Sequence, residues 1–395
     1  MRAFEKHTVS RRSFLAGTVA AGATMFMPRN TAKKLCAAEK LHWLPDGIYP
    51  RWQDEVTGVE GIVLVRGVPE SEVVYQTHPM WTPEMDYFLF MARPEQGGLH
   101  PHLLEIRTGE SRLLLDGNVH FAAMAWRSRS LYYFADGYFH EADVVDSFQG
   151  RGEPRVLGAL PPECARLAGA LTVDASGEAL YFGASLVSEG EWGIYVLSLK
   201  NGQSRLLCKT DFRIGHFQAN PYRPGSLMFC QETGGDANQR IWHIQDGGSA
   251  MKPLYQEEGW EWVTHECWWG QDRFLFTVWP YDEERKNKPH GIMMADLESG
   301  PQGKMTEIVR YPAWHTHGSP DGKWLLGDDF DRSLWLINGE EKERRLLTAG
   351  HTSGDFKTHP HASFTPDSRA IVFSSSKFGA REILLISLPD WKDLK

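Results

Sequence analysis

Short runs of apolar or alternating residues, separated by turn residues, recur along the chain from residue 61 to its end. Residues 194–199 and 334–337 are two such runs, and Gly and Asn follow each of them before the next run begins. Alternation bounded by turn residues is typical of short β-strands. We find no apolar stripes with the 3.6-residue period of a helical repeat protein. The chain is therefore predicted to be all-β.

A longer repeat organises these strands. Each copy has a short strand, a turn such as the one at residues 319–322 (Ser-Pro-Asp-Gly), and a strand that usually ends in an aromatic residue. Two further strand-like runs separate the copies, so each repeat holds about four antiparallel strands. Seven repeats of this kind predict a seven-bladed β-propeller with four-stranded antiparallel blades. The seven closing positions, 44 to 51 residues apart, are Phe90, Phe134, Phe182, Phe229, Phe276, Gly327 and Phe373.

The two ends of the repeat array are expected to meet in one blade. The seventh repeat runs out after residues 382–388, before a fourth strand, and residues 61–66 precede the first blade without a blade of their own. We predict that this N-terminal strand closes the ring as the outer strand of blade seven, because it would cover an open sheet edge. The predicted domains are a signal peptide at 1–38, an N-terminal extension at 39–60 and the propeller at 61–395.

The first 38 residues have the features of a targeting segment. Arg11 and Arg12 form a twin-arginine motif within residues 10–15, and a mildly apolar run follows at 15–27. That run is too short and too rich in small residues for a transmembrane helix. We expect twin-arginine export to the periplasm or the medium, with no integral membrane segment after the signal is removed.

The charge balance disfavours several classes of partner. The chain has 42 Lys and Arg against 51 Asp and Glu, a formal net charge of −9; without residues 1–38 the balance is 35 against 50, or −15. Such a surface argues against binding to nucleic acid or anionic membranes. An anionic substrate would need a local basic pocket. The cysteines after residue 38 have no Cys-X-X-Cys spacing, so neither a zinc site nor a disulfide framework is predicted.

Four histidines occupy one repeated position. Counting twelve residues back from the closing positions gives His78 in blade one, His315 in blade six and His361 in blade seven. The corresponding turn of blade five is one residue tighter, and allowing for this places His265 in the same register. The first strand of each blade lies innermost, and these four blades are neighbours in a closed ring, so the side chains should converge on the channel. They either fill the channel and bind water or form one metal or catalytic cluster.

His359 adds a further imidazole. Residues i and i+2 of an extended segment point to the same face, and Pro360 keeps the residue before it extended, so His359 and His361 should project together. With His315 they would offer three neutral imidazoles, which suit Zn, Mn, Fe or Ni. His317, two residues after His315, could replace it as a ligand. The acidic residues at 328–331 follow the second strand, so their reach to the site is doubtful.

Two cations are candidates for binding an anion. Arg240 follows a glycine-containing loop at residues 231–239 in blade four, and Lys357 precedes the histidine pair. Each is either an ordinary surface charge or a clamp for a carboxylate. The remaining histidines are out of register and are expected to be structural or exposed: His100, His102, His120, His140, His216, His243, His290 and His351.

The whole chain after residue 38 resembles the oligogalacturonate lyases, propeller enzymes with TolB-like repeats that act on short pectin fragments. Besides the seven repeats, four motifs carry the resemblance: residues 240–242 (Arg-Ile-Trp), 264–268 (Thr-His-Glu-Cys-Trp), 313–315 (Ala-Trp-His) and 358–367 (Thr-His-Pro-His-Ala-Ser-Phe-Thr-Pro-Asp).

The resemblance implies a role for several residues. His265 would be the Brønsted base and Arg240 the catalytic arginine. The metal, expected to be Mn²⁺ or another divalent ion, would be held by His315, His359 and His361. The family's fourth protein ligand is a glutamine, and here Phe356, which cannot ligate, occupies its position.

The chemistry that the resemblance implies is β-elimination on an anionic oligosaccharide. The metal and Arg240 would neutralise the uronate carboxylate, and neutral His265 would take the C5 proton. His78 and Lys357 are the candidate substrate-binding residues, and His78 or water would protonate the leaving oxygen. Two alternatives remain: a non-catalytic periplasmic propeller that binds glycan or protein, and a lyase for another uronate-containing oligosaccharide.

Overall fold

The computed structural model describes residues 41–93, 98–114, 119, 121–233, 237–248, 250–280, 283–300, 305–352 and 358–394. The predicted signal peptide at 1–38 lies outside the described residues. So do Phe356 and Lys357, two positions singled out from the sequence.

The described residues form seven antiparallel sheets, one for each predicted repeat, in a ring. Blade one contains β3 (Glu72–Val73), β4 (Tyr87–Ala92), β5 (His100–Glu105) and β6 (Glu110–Leu113). Blade two contains β7 (Phe121–Met124), β8 (Ser130–Ala135), β9 (Tyr138–Asp143) and β10 (Arg155–Ala159). Blade three contains β11 (Cys164–Val173), β12 (Ala179–Leu186), β13 (Trp192–Ser198) and β14 (Ser204–Thr210).

Blades four to six repeat the same order of strands. Blade four contains β15 (Ile214–Ala219), β16 (Ser226–Gln231), β17 (Ile241–Gln245) and β18 (Lys252–Pro253). Blade five contains β19 (Glu261–Trp268), β20 (Arg273–Pro280), β21 (Gly291–Asp296) and β22 (Thr306–Val309). Blade six contains β23 (Ala313–Gly318), β24 (Trp324–Asp329), β25 (Leu334–Asn338) and β26 (Glu343–Thr348). The predicted seven-bladed β-propeller is confirmed.

Blade seven joins the two ends of the chain. Its strands are β27 (Ser363–Phe364), β28 (Ala370–Ser375), β29 (Glu382–Ser387), β2 (Glu60–Val65) and β1 (Arg51–Gln53). The predicted closure by an N-terminal strand is confirmed, since β2 pairs with β29 and Gly61 lies opposite Ile386. A side chain at Gly61 would come within 2.7 Å of the Leu385 carbonyl oxygen, which explains the glycine. The strand β1 adds a fifth strand outside the predicted one.

The hydrophobic core fills the spaces between neighbouring blades. The second strands are almost wholly buried, as in β28, because both faces of such a sheet pack against other blades. Phe139 of blade two and Phe182 of blade three, for example, are both fully buried, with ring centroids 4.6 Å apart. First strands of adjacent blades also contact one another around the axis. This packing fixes the relative positions of side chains on the innermost strands.

Helices are few and short among the described residues. The helix α1 (Val144–Phe148) begins at Asp143, whose carboxylate accepts hydrogen bonds from two backbone N–H groups of the first turn. Two single-turn 3₁₀ helices span Glu283–Arg285 and Trp391–Asp393. None of the helices in the described ranges has the length and hydrophobicity needed to cross a bilayer. Among the described residues, Cys164, Cys208, Cys230 and Cys267 are free thiols.

Candidate active site

The innermost strands of blades four, five and six each contain a β-bulge. In β15 the strand advances by three residues, from Gly215 to Gln218, while its partner moves by two. The same shift occurs between Thr264 and Cys267 in β19, and between Ala313 and Thr316 in β23. A bulge interrupts regular alternation and redirects side chains. The bulged segments contain His216, His265 and His315.

Three histidines near the channel have left-handed backbones. The φ angles of His216, His265 and His361 are 45°, 54° and 44°. This region is sparsely populated by residues other than glycine, and residues held there cluster at functional sites. In blade three, Gly169 has a φ of 73° within the corresponding irregular stretch of β11. The three histidines therefore adopt a backbone that glycine adopts more easily, which indicates that their imidazoles are required there.

The structure brings the three predicted metal ligands together. His315, His359 and His361 each offer one ring nitrogen, and these atoms lie within 4.8 Å of one another. The ring centroid of His315 is 5.5 Å from that of His359 and 4.5 Å from that of His361. Since a metal–imidazole bond is about 2.1 Å long, small ring rotations would allow the three nitrogens to share one ion. That they bind a metal stays a prediction at this point.

Asp328 holds His315 in one orientation. Its Oδ1 accepts a hydrogen bond from the His315 backbone N–H at 2.6 Å, and its Oδ2 lies 2.9 Å from Nδ1 of the same residue. A carboxylate on Nδ1 fixes the ring tautomer and leaves Nε2 to face an ion, the arrangement that metal-binding histidines commonly have. Burial raises the pKa of Asp328 to about 6.

The triad is suited to act as neutral donors. Burial lowers the pKa of His315 and His361 well below its usual value, and the neighbouring imidazoles add to the effect. Burial, with Arg332 nearby, lowers the pKa of His359 to about 4. At neutral pH all three rings therefore keep a lone pair for coordination, since only the unprotonated imidazole ligates.

His265 lies beside the triad, as the sequence predicts. Its ring centroid is 4.3 Å from that of His315. Burial lowers its pKa well below the usual value, followed by repulsion from His315. Its Nδ1 lies 3.3 Å from the hydroxyl of Tyr75, which is also 3.3 Å from Nδ1 of His216. Burial raises the pKa of Tyr75 well above its usual value, so the phenol stays protonated.

Arg240 is a buried charge paired with a buried carboxylate. Only 2% of its surface is exposed, and its Nε donates to Oε2 of Glu266 at 3.1 Å. Burial alone would lower the pKa of Arg240, but Glu266 raises it above the usual value. Glu266 follows His265 directly and also lies 3.4 Å from Nδ1 of His216. The pair uses one of the five guanidinium N–H donors. Since it is buried and paired, Arg240 is not an ordinary surface charge.

Aromatic side chains flank the histidines on one side. Trp314 precedes His315, and its ring centroid lies 5.2 Å from that of His265 and 5.8 Å from that of His359. Trp279 and Phe330 pack against Trp314 at 5.0 Å and 4.9 Å. A flat aromatic surface beside charged and imidazole groups is a common arrangement in sugar-binding clefts, where apolar and polar faces of the ligand need different partners.

Two sequence-predicted candidates lie elsewhere. His78 does not share the register of the other histidines, because a turn places it three residues beyond Tyr75, the residue of blade one that contacts the cluster. Its Nδ1 is paired with the Thr77 hydroxyl at 2.9 Å. His317 lies further along β23 and lines a separate cavity with His78, so it does not replace His315. The role of His78 in substrate binding stays a prediction, as does that of Lys357.

Sequence reasoning missed three members of the cluster. His216 was expected to be structural or exposed, yet its side chain is 21% exposed and contacts His265 and Tyr75. No sequence pattern indicated Tyr75, because the twelve-residue count in blade one gives His78. Asp328 does reach the site, because β24 pairs with β23 beside the bulge. The bulge is the missing information for His216: in β15 the first bulged residue, His216, meets the cluster, whereas in β23 it is the second, His315.

Comparisons with known proteins agree with the resemblance. The chain is 28% identical over 220 residues to the oligogalacturonate lyase of Dickeya dadantii (strain 3937) and 26% identical over 220 residues to the oligogalacturonide lyase of Pectobacterium atrosepticum. Each match covers 49% of this chain and 55% of the relative, so the matched region spans about half the length of these curated proteins. No family model matches the chain.

Solved structures show the same fold over most of the chain. An oligogalacturonate lyase in complex with manganese superposes with a TM-score of 0.74 at 21% identity, covering 87% of this chain and 96% of that one. An oligogalacturonate lyase from Vibrio parahaemolyticus gives a TM-score of 0.73 at 20% identity, covering 87% and 97%. The resemblance to oligogalacturonate lyases is thus confirmed as similarity of sequence over half the chain and of fold over nearly all of it.

Proposed function

We propose that this chain is a lyase that cleaves short oligogalacturonates by metal-assisted β-elimination and releases unsaturated uronate products. The observation that carries the proposal is the histidine triad beside His265, with the buried Arg240–Glu266 pair close by. Similarity to the curated lyases adds the substrate class. The charge of −15 expected after residue 38 makes a local cation necessary for an anionic substrate, and Arg240 supplies one.

Manganese is the ion we propose, because a structural relative is an oligogalacturonate lyase in complex with manganese. The donor set fits a divalent cation: three neutral imidazoles and, on His315, a carboxylate that orients the ring. When bound, such an ion would act as a Lewis acid that stabilises negative charge on the substrate carboxylate.

His265 is the group we assign to proton abstraction. The proton at C5 of a uronate is α to the carboxylate and becomes acidic only when that carboxylate is neutralised. A neutral imidazole accepts a proton at near-neutral pH, and its pKa, lowered first by burial, keeps His265 unprotonated before substrate arrives. Tyr75, in contact with Nδ1, limits the orientations of the ring.

Arg240 is the group we assign to the substrate carboxylate. Its bond to Glu266 through Nε fixes the guanidinium and leaves the terminal nitrogens for a planar, two-point contact with a carboxylate. Glu266 also offsets the cost of burying this charge. A lysine at this position could not provide the same geometry.

The proposed reaction balances without any redox partner. His265 takes the C5 proton, the electron pair of that bond forms the C4–C5 double bond, and the bond from C4 to the glycosidic oxygen breaks. A proton from water then neutralises the leaving oxygen, since His78 lies in a separate cavity. The products are a shortened oligosaccharide and a sugar with a 4,5 double bond conjugated to its carboxylate.

The test is direct observation of that double bond. Di- and trigalacturonate are incubated with the purified chain after chelation, with and without added Mn²⁺, and absorbance is followed in the band of unsaturated uronates. We expect product only with the metal. Activity only on a different uronate oligomer would change the proposed substrate. If no uronate oligomer gave product, a propeller that binds glycan or protein without catalysis would be favoured.

We also propose that the protein reaches the periplasm or the medium by twin-arginine export. Arg11 and Arg12, followed by a mildly apolar run, support this. Replacing both arginines by lysine should leave the protein in the cytoplasm, as cell fractionation would measure. Export of the doubly substituted chain at the normal level would contradict the proposal.

A further inference from the structure

One arginine near the histidine triad has an unpaired charge. Arg332 ends the turn between β24 and β25, where its backbone N–H donates to the Asp329 carbonyl oxygen at 3.0 Å. Its guanidinium forms no hydrogen bond or ion pair with any residue in the described ranges. Nη1 is enclosed by the protein, whereas Nε and Nη2 remain accessible to solvent. Since Nε–H and one Nη2–H point the same way, they form an open two-point donor.

The carboxylates that follow one another in this turn do not compensate the charge. Asp328 is held by the backbone N–H and the ring of His315. Asp329 accepts hydrogen bonds from two backbone N–H groups of the turn and from the indole of Trp335. Asp331 is exposed and makes no ion pair within the described part of the chain. A partly buried arginine usually has a partner for its charge, so Arg332 is available to an anionic ligand.

Arg332 shares an aromatic surface with the histidines. Its Cζ lies 6.0 Å from the ring centroid of Trp314, and the same ring borders His265 and His359. Trp314, Arg332 and the two histidines are all partly exposed, as is Phe330, which packs on Trp314. Burial and then the charge of Arg332 lower the pKa of His359, which agrees with their proximity. A sugar chain lying against Trp314 would therefore meet both the histidines and Arg332.

The two arginines of this region differ in their partners. Arg240 is 2% exposed and is tied through Nε to Glu266, beside His265. Arg332 is more exposed, has no carboxylate partner among the described residues and lies against Trp314. Because each guanidinium can take one carboxylate by a two-point contact, a ligand that used both would carry at least two carboxylates.

We propose that Arg332 binds the carboxylate of a second uronate unit, next to the unit whose C5 proton is removed, and so selects charged oligomers over neutral or esterified ones. The inference rests on the proposed function for the identity of the oligomer and assigns it a specificity-determining residue. The contact lies away from the bond that breaks. It should therefore stabilise the bound substrate and the transition state equally, which lowers KM without changing kcat.

The experiment measures binding by titration calorimetry with Mn²⁺ present, in a His265→Ala background so that the ligand is not consumed. The two ligands are trigalacturonate and its fully methyl-esterified form, which has no carboxylate charge. Arg332→Gln should weaken binding of trigalacturonate about tenfold or more and leave binding of the ester unchanged. Arg332→Lys keeps the charge but not the two-point contact, so its effect should be intermediate.

Arg344→Gln is the matched control. Arg344 also lies against an indole, that of Trp335 at 3.9 Å, but it belongs to β26, the outer strand of the same blade. This variant should bind both ligands normally. In chains that retain His265, Arg332→Gln should raise KM for trigalacturonate and leave kcat nearly unchanged.

Three results would overturn the proposal: normal binding of trigalacturonate to Arg332→Gln, an equal loss for the acid and the ester, or no binding of trigalacturonate at up to roughly 10 mM. An equal loss would assign Arg332 a structural role. The proposed lyase activity fails separately: a chain that binds trigalacturonate through Arg332 but forms no unsaturated product would refute that activity and keep the binding role.

Discussion

The innermost strands present different side chains at the two ends of the channel. At the histidine end, His265 and His361 have left-handed backbones and Arg240 forms a buried ion pair with Glu266. At the other end of these strands, Gln218, Cys267 and His317 line a cavity together with several indoles and Arg127, and no carboxylate among the described residues lines it. The scaffold is constant, so the difference lies in local bulges and in a few side chains. The buried ion pair is thereby confined to the histidine end.

The largest expected effect comes from the histidine triad. His361→Ala removes one of three imidazole donors and should abolish both metal binding and turnover, because two imidazoles hold a divalent ion poorly in competition with water. Elemental analysis after dialysis measures the metal, and the unsaturated-product assay measures turnover. His317→Ala, at the other end of the channel, is the matched control and should keep its metal. Equal metal content in both variants would refute the site.

Loss of the base should be nearly as severe but should spare the metal. His265→Ala is expected to reduce turnover by roughly 10²–10⁴-fold, the usual contribution of a positioned acid or base. The metal content should not change, since His265 is not one of the three clustered donors. His140→Ala, which removes a histidine stacked on Tyr133 in blade two, serves as control. Full activity of His265→Ala would remove it from the role of base.

An intermediate effect is expected at the carboxylate that orients His315. Asp328→Asn should weaken Mn²⁺ binding by roughly 10–100-fold, because the outer partner of a ligating imidazole fixes its tautomer and basicity. Titration calorimetry with Mn²⁺ measures the change. Asp329→Asn is the matched control, since Asp329 binds the indole of Trp335 at 2.8 Å instead. Similar losses in both variants would mean that Asp328 has no specific role.

A further effect concerns stability in acid and leaves activity at neutral pH unchanged. His351 is fully buried between Thr348 and Ser375, and burial lowers its pKa from 6.5 to about 3. Above pH 6.5 His351 is unprotonated in both the folded and the unfolded state. Between pH 6.5 and about 3 it is protonated only in the unfolded state. The free energy of unfolding should therefore fall by about 1.4 kcal/mol for each pH unit as the pH drops from 6.5 towards 3.

Urea unfolding at several pH values tests this dependence. His351→Gln should flatten the slope, since glutamine can still bond to the neighbouring hydroxyls but does not titrate. His290→Gln, at an exposed turn, should not. An unchanged slope in His351→Gln would show that other groups govern acid stability.

Repeat spacing was sufficient to predict the propeller and to align His315 with His361, and His359 followed from its position two residues before His361. Spacing works where strands are regular, because each blade then returns to the axis after a similar number of residues. It is ambiguous at bulges, where either of two neighbouring residues can meet the cluster: His315 is the second bulged residue of β23, whereas His216 is the first of β15. His216 was missed for this reason, and His78 was preferred to Tyr75 because blade one reaches the channel through a turn rather than a long strand. Asp328 depends on cross-strand pairing, which no local pattern reports.

The closure of blade seven has a consequence for biosynthesis. Gly61 and Ile386 pair although more than three hundred residues separate them, so the ring is completed only after blade seven has been made. His315, His359 and His361 belong to blade six and to the segment that enters blade seven. The candidate metal site is thus assembled from the last two blades of the ring to be synthesised. Metal binding would consequently require blade seven to be nearly complete. A chain that stops before residue 359 would lack His359 and His361, two of the three candidate ligands.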